Sequence, residues 1–270
     1  MNINPDKAAE NLDKLRELNP LVHNITNFVV MNYTANALLA IGASPVMAHS
    51  VDEVEEMVQL AGALVLNIGT LTNDWIESMI KAAQKANEAG IPVILDPVGS
   101  GATKLRTKSA KKILQSVSIS VVRGNASEIL SLKDEKSTTR GVDSAHSVDD
   151  AEQSAKEMAN ELGTVLAVTG PVDIITDGIS TISVHNGHPM MGRVTGTGCT
   201  ASAICGAFLA VDINPLSAAS TALSVFGLCG ELAAKKAKSP GSYSIALIDA
   251  LFDITAKDCK SNCKIRNESK

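Results

Sequence analysis

The strongest constraint in this sequence is a set of four short apolar runs, each nearly unbroken and each stopped by a polar or glycine-rich turn. They are ALVLN at 63–67, PVILD at 92–96, ISVVR at 119–123 and TVLAVT at 164–169. Unbroken apolar runs of this length read as strands covered on both faces, the situation of strands in a parallel sheet flanked by helices. Longer Ala/Leu/Glu/Lys segments fill the intervals and predict helices over 28–40, 74–89, 104–115 and 148–162, the last with Ser147 as N-cap. This alternation is the signature of βα units. The stretch 173–185 differs: two β-rich pieces flank Asp177-Gly178, a dipeptide suited to a tight turn, and predict an antiparallel hairpin appended to the parallel sheet. From Gly198 the chain becomes Ala-rich and helical to near its end, with breaks at Asn214-Pro215 and Ser239-Pro240-Gly241. The polar stretch 133–146 (KDEKSTTRGVDSAH) reads as a surface loop. The expected architecture is α/β, with helices on both faces of the sheet and residues 1–270 forming one domain without linker or repeat.

Charge and composition then narrow the partners. Lys and Arg number 24 against 29 Asp and Glu, a net charge of −5, and no basic cluster tracks a phosphate backbone, so nucleic acid is not expected as a partner. One Trp, two Tyr and four Phe offer no stacking platform for bases or sugars, which leaves recognition to backbone, aliphatic and polar groups. A small molecule fits these features better. The first ten residues contain no apolar signal region and no run of about 18 apolar residues occurs, so the chain reads as cytosolic, with no membrane partner. The five cysteines, at 199, 205, 229, 259 and 263, have no paired spacing and read as reduced thiols. Cys259 and Cys263 are four apart on an expected helix, without the further ligands of a zinc site, and read as plain side chains.

Four segments carry residues suited to chemistry. Thr195-Gly-Thr-Gly-Cys-Thr200 directly precedes a long apolar helix. Its glycines let the backbone approach a ligand, and free N–H groups at the helix start point toward a phosphate or a developing oxyanion. The bland alternative is a ligand-free strand-to-helix turn. The segment is neither a Walker A loop nor a dinucleotide fingerprint. Asp96-Pro-Val-Gly-Ser-Gly101 places an acid at the carboxyl end of a buried strand, where it needs a partner; hydrated Mg²⁺ is one, and a turn-capping role is the other. Arg123-Gly-Asn-Ala-Ser-Glu128 supplies a cation, an amide and a carboxylate on a neighbouring strand: Arg123 for phosphate and Glu128 for metal-bound water, or else an internal Arg–Glu pair. His23-Asn-Ile-Thr-Asn27 precedes an apolar helix; Asn27 as its cap and His23 as a core histidine are the plain alternatives to a binding role.

Taken together, these segments resemble one family. PLVHNITNFVVMNYTANALLAIGASPVM (20–47), ALVLNIGTL (63–71), PVILDPVGSGAT (92–103), RGNASEI (123–129), the Thr169-Gly170 turn and VTGTGCTAS (194–202) resemble hydroxyethylthiazole kinases of thiamine salvage, in matching order over nearly the whole chain. The resemblance implies a ribokinase-like fold, ATP as co-substrate, Mg²⁺ dependence, and phosphorylation of the primary alcohol of 4-methyl-5-(2-hydroxyethyl)thiazole. It also implies a homotrimer with active sites at subunit interfaces. By motif, it places Met47, Gly196 and Asn27 at the thiazole, Arg123 and Thr169 at ATP, Asp96 and Glu128 around Mg²⁺, and Cys199 in the catalytic-base position. Most ribokinase-like kinases carry Asp where Cys199 stands. That difference separates this chain from hydroxymethylpyrimidine kinases and nicotinamide-hydrate dehydratases, and it weakens a simple general-base role. A catalytically silent binding protein is the remaining alternative from another class.

Overall fold

The structure is a computed structural model and describes residues 2–133 and 148–268. The expected loop 133–146, apart from Lys133, and the expected N-cap Ser147 lie outside the described residues.

Nine strands among the described residues form one sheet. They are β1 (Leu21–Ile25), β2 (Ser44–Val46), β3 (Ala63–Asn67), β4 (Val93–Asp96), β5 (Val121–Asn125), β6 (Val165–Thr169), β7 (Asp173–Thr176), β8 (Thr181–Val184) and β9 (Ile265–Asn267). Their spatial order is β2-β1-β3-β4-β5-β6-β7-β8-β9. From β2 to β6 every pairing is parallel, and from β6 to β9 every pairing is antiparallel. The expected hairpin is β7–β8. The helices are α1 (Pro5–Leu18), α2 (Met31–Ile41), α3 (Val54–Gln59), α4 (Asn73–Glu88), α5 (Lys104–Ser116), α6 (Ala126–Leu130), α7 (Val148–Leu162), α8 (Thr197–Leu209), α9 (Pro215–Lys236), α10 (Pro240–Asp253) and α11 (Ala256–Asn262).

Because side chains alternate along a strand, β1 and β3 to β6 each feed two cores. Val22, Val65, Ile94, Val121 and Ala167 pack with α1, α2 and α8 to α10 on one face. Ile25, Leu64, Leu66, Leu95, Val122 and Leu166 pack with α3 to α5 and α7 on the other. Helix starts follow capping chemistry: Thr72, Thr103 and Asn214 each accept a backbone N–H in the first turn. Pro215 and Pro240 stand at the first turns of α9 and α10, so both expected breaks are helix starts. Helix α9 is the one among the described residues long and apolar enough to cross a membrane, and 89% of its apolar window is buried inside the fold.

Several boundaries differ from expectation. Helix α2 begins at Met31 rather than 28, with Val30 at its N-cap position, so Asn27 does not cap it. The C-terminal region is helical to near its end, as expected, and β9 then adds a last strand to the sheet. Helix α11 ends at Asn262, leaving Cys263 just beyond it, its amide donating to the Cys259 carbonyl at 2.9 Å. The chain ends are clasped as well: the Ile3 amide donates to Asn267 Oδ1 at 3.2 Å, and Asn267 Nδ2 donates to the Ile3 carbonyl at 2.8 Å.

Candidate active site

The carboxyl ends of β3, β4 and β5 and the start of α8 converge. Asn67 and Asp96 are register partners at the ends of β3 and β4, so their side chains stand side by side. Asn67 Nδ2 donates to Asp96 Oδ2 at 2.9 Å, and Ser202 Oγ donates to the same oxygen at 2.8 Å. Asp96 Oδ1 is buried without a partner. Burial pushes the Asp96 carboxyl up to about 6, against the pull of the Arg123 guanidinium 4.0 Å away. Asp96 is therefore not a turn cap; it is the buried acid of a polar network.

The network continues to the N-terminal segment. Asn27 Nδ2 donates to Asn67 Oδ1 at 2.8 Å and lies 3.4 Å from Cys199 Sγ. Cys199 and Ser202 are three apart and so share one face of α8. Burial and the nearby Asp96 charge push the Cys199 thiol above its ordinary range, while the Asn27 and Asn67 amides oppose them. The net direction favours the neutral thiol. The helix itself begins at Gly196, whose φ of +87° suits glycine; a Cβ there would sit 2.6 Å from Val30. The first intrahelical bond runs from the Thr200 amide to the Gly196 carbonyl, so the amides of Thr197, Gly198 and Cys199 are free to face an anion.

Arg123 and Thr169 meet on the next strands: Arg123 Nη2 donates to Thr169 Oγ1 at 2.6 Å, and Arg123 Nε is buried without a partner. Both line a cleft of about 470 Å³ with Asp173, Met191, Gly198, Leu223 and Phe226. Glu128 is not the partner of Arg123. Its Oε1 accepts the Gly99 amide at 2.8 Å and its Oε2 the Asn125 amide at 2.9 Å, the second within a capping box that starts α6. Its charge nevertheless reaches Asp96 and raises that group further.

Met47 follows β2 at the edge of the sheet, half-buried, and no hydrogen bond joins it to this network. Its position is set from β1: His23 Nε2 lies 2.7 Å from the Ala48 carbonyl, which can only accept, so this nitrogen carries the proton. Burial lowers the His23 pKa, so the ring is the neutral core histidine of the plain reading, though it also fixes the Met47–Ala48 segment. Asn67, Ser202 and Asp173 were missed in the sequence. The signal for Asn67 was available, because ALVLN ends in a polar residue at the same level as the Asp of PVILD.

A mostly parallel sheet with an appended hairpin, a glycine turn opening a helix beside a buried acid, and an Arg-lined cleft place the chain in the ribokinase-like class. A ribokinase-like superfamily protein from Enterococcus faecalis V583 shares this fold, with a TM-score of 0.61, 15% identity, and coverage of 89% of this chain and 93% of that one. The sequence matches the Hydroxyethylthiazole kinase family over residues 12–257, and the chain belongs to that family. It is 60% identical over 262 residues to the hydroxyethylthiazole kinase of Desulfotalea psychrophila, covering 97% of this chain and 96% of that protein. The solved hydroxyethylthiazole kinase protein from Pyrococcus horikoshii OT3 superposes with a TM-score of 0.91 at 48% identity, covering 97% of this chain and 99% of that one. The chain is thus a kinase that phosphorylates the thiazole alcohol in thiamine salvage, with ATP as co-substrate.

Proposed function

We propose that transfer of the ATP γ-phosphoryl group to the primary alcohol of 4-methyl-5-(2-hydroxyethyl)thiazole takes place at the start of α8, between the Asn27–Asn67–Asp96 network and the Arg123 cleft. The observation that carries this assignment is the buried, unpartnered Asp96 Oδ1 beside Arg123 and Cys199. An acid so placed fits a hydrated Mg²⁺, with Glu128, held by two backbone amides, as the second acidic group. Bound there, Mg²⁺ supplies charge neutralisation on the terminal phosphates. Arg123 and Thr169 hold the polyphosphate, and the free amides at the α8 start face the group in transfer.

Met47, Asn27 and Gly196 line the thiazole pocket, which needs aliphatic contact and few hydrogen bonds. Cys199 holds the catalytic-base position: its thiol orients the substrate hydroxyl, and its minor thiolate form takes the proton late, since a loose transition state does not require early deprotonation. The edge position of Met47 accords with a homotrimer whose neighbouring subunit completes the pocket, and with activity that depends on the oligomer, read by light scattering at assay concentration. We place this kinase, as one domain spanning 1–270, in the cytoplasm. The test is an ATP-consumption assay with thiazole alcohol on an Asp96→Asn, Glu128→Gln double variant: turnover falls to near background, and wild-type turnover at limiting Mg²⁺ would reject the metal assignment.

A further inference from the structure

One carboxylate in the nucleotide cleft has no task in the reaction described above. Asp173 opens β7 and lines the cleft with Arg123, Thr169 and Phe226. Its Oδ1 accepts the Gly170 amide at 3.0 Å, closing the turn that follows Thr169. No hydrogen bond among the described residues reaches its Oδ2. Arg123 is close enough to act on it electrostatically but makes no pair with it, since the guanidinium donates to Thr169 and lies against Asp96. A carboxylate oxygen is therefore presented to the cleft one short turn beyond the pair assigned to the polyphosphate.

An anion in that place repels phosphate, so the group it can receive is a neutral donor. The covalent order of a nucleotide is phosphate, sugar, base. The wall next to the phosphate end faces the sugar, and the apolar residues Met191, Leu223 and Phe226 remain for the base. Carboxylates are the usual acceptors for ribose hydroxyls. Burial pushes the Asp173 carboxyl up to about 6, which leaves it mostly ionised, and a strong acceptor, at neutral pH.

We propose that Asp173 accepts a hydrogen bond from a ribose hydroxyl of ATP and makes this kinase selective for ribonucleotides over deoxyribonucleotides. The proposal rests on the Arg123 cleft being the ATP site.

The test is steady-state kinetics with ATP, 2′-deoxy-ATP, 3′-deoxy-ATP and ITP, on wild type, Asp173→Asn and Thr169→Val. In wild type at least one deoxy analogue has a KM about 10- to 100-fold above that of ATP, the range for a hydrogen bond to a charged group. Asp173→Asn, which still accepts the Gly170 amide, raises KM for ATP toward that of the deoxy analogue and leaves kcat within a few-fold. Equal use of ATP and both deoxy analogues by wild type overturns the proposal without any variant. So does an equal rise for ATP and deoxy-ATP in Asp173→Asn, the signature of a turn-closing role, or a loss of discrimination against ITP alone, the signature of a base contact. Thr169→Val separates the two levels: an unchanged KM for ATP rejects the cleft as the ATP site, and with it the proposal, whereas a raised KM without ribose discrimination rejects Asp173 alone.

Discussion

The two ends of the parallel sheet hold clefts of similar size and opposite character. At the amino ends of β3 to β6, clefts of about 430 and 690 Å³ are lined by residues such as Asn87, Ser118, Ser120, Thr164 and Asp212. Their polar groups are paired: Asn87 exchanges two hydrogen bonds with the Ser118 backbone, Thr164 donates to the Ile119 carbonyl, and Asp212 accepts from Asn11 and Ser217. At the carboxyl ends, Arg123 Nε in the lining of the 470 Å³ cleft and Asp96 Oδ1 behind it are buried without partners. Volume does not distinguish the ends, but unmet hydrogen-bonding capacity does. Buried polar groups without partners cost stability, and they persist where a ligand completes them.

The sharpest way to break this contrast is at Cys199, which the carboxyl-end network holds as a thiol. Cys199→Ala is expected to lower kcat by about 10²-fold or less, since an imperfect base contributes modestly to a loose transition state. Cys199→Asp, which restores the commoner carboxylate, is expected to be active, and intact-mass spectrometry during turnover should find no phosphorylated Cys199. A phosphocysteine, or an Asp variant as inactive as the Asp96, Glu128 double variant, would end this account of the thiol.

A smaller effect separates the ends by pH. In metal-free protein the folded-state pKa of Asp96, about 6, lies above its ordinary value of 3.8, so the folded state binds the proton more tightly than the unfolded chain. Its contribution is fully present below the ordinary value and is lost as pH rises through 6. The Tm of wild type minus that of Asp96→Asn should therefore increase by several degrees from pH 7.5 to pH 5. A flat difference would show that the burial of Asp96 is relieved in solution. The smallest effect belongs to the amino end: Asn87→Ala should cost about 1 kcal/mol in denaturant unfolding, through two lost surface hydrogen bonds, and leave kinase kinetics unchanged. Altered kinetics there would dissolve the contrast.

The same contrast explains what could be read from the sequence. The strands covered on both faces, β3 to β6, announce themselves as apolar runs, and Asp96 and the glycine turn stand out at their ends. Strand β1 was hidden because His23 and Asn24 interrupt its run with buried polar groups. Strands β2 and β9 are three residues long; β2 carries Pro45, and β9 is polar and mostly exposed, so neither has a periodicity to detect. The site was legible where chemistry sits in glycine-bearing motifs. Asn67 was legible only as the polar end of ALVLN, since the register with β4 that gives it a role is not local, and Ser202 was not legible, because its role depends on one face of α8. Glu128 is read by type as a water-holding acid; the two backbone amides that orient its carboxylate, and leave each oxygen a further lone pair, come from loop geometry that no local motif reports.

The clasp between Ile3 and Asn267 bears on how the chain matures. During synthesis α1 emerges long before Asn267, which holds the segment preceding that helix and arrives together with the strand that pairs with β8. The six strands joined by parallel pairings, β1 to β6, can assemble on the ribosome while the outer antiparallel margin waits for residues 265–267. A nascent chain of this protein therefore carries an open sheet edge at β8 until residues 265–267 have emerged, long after β8 itself.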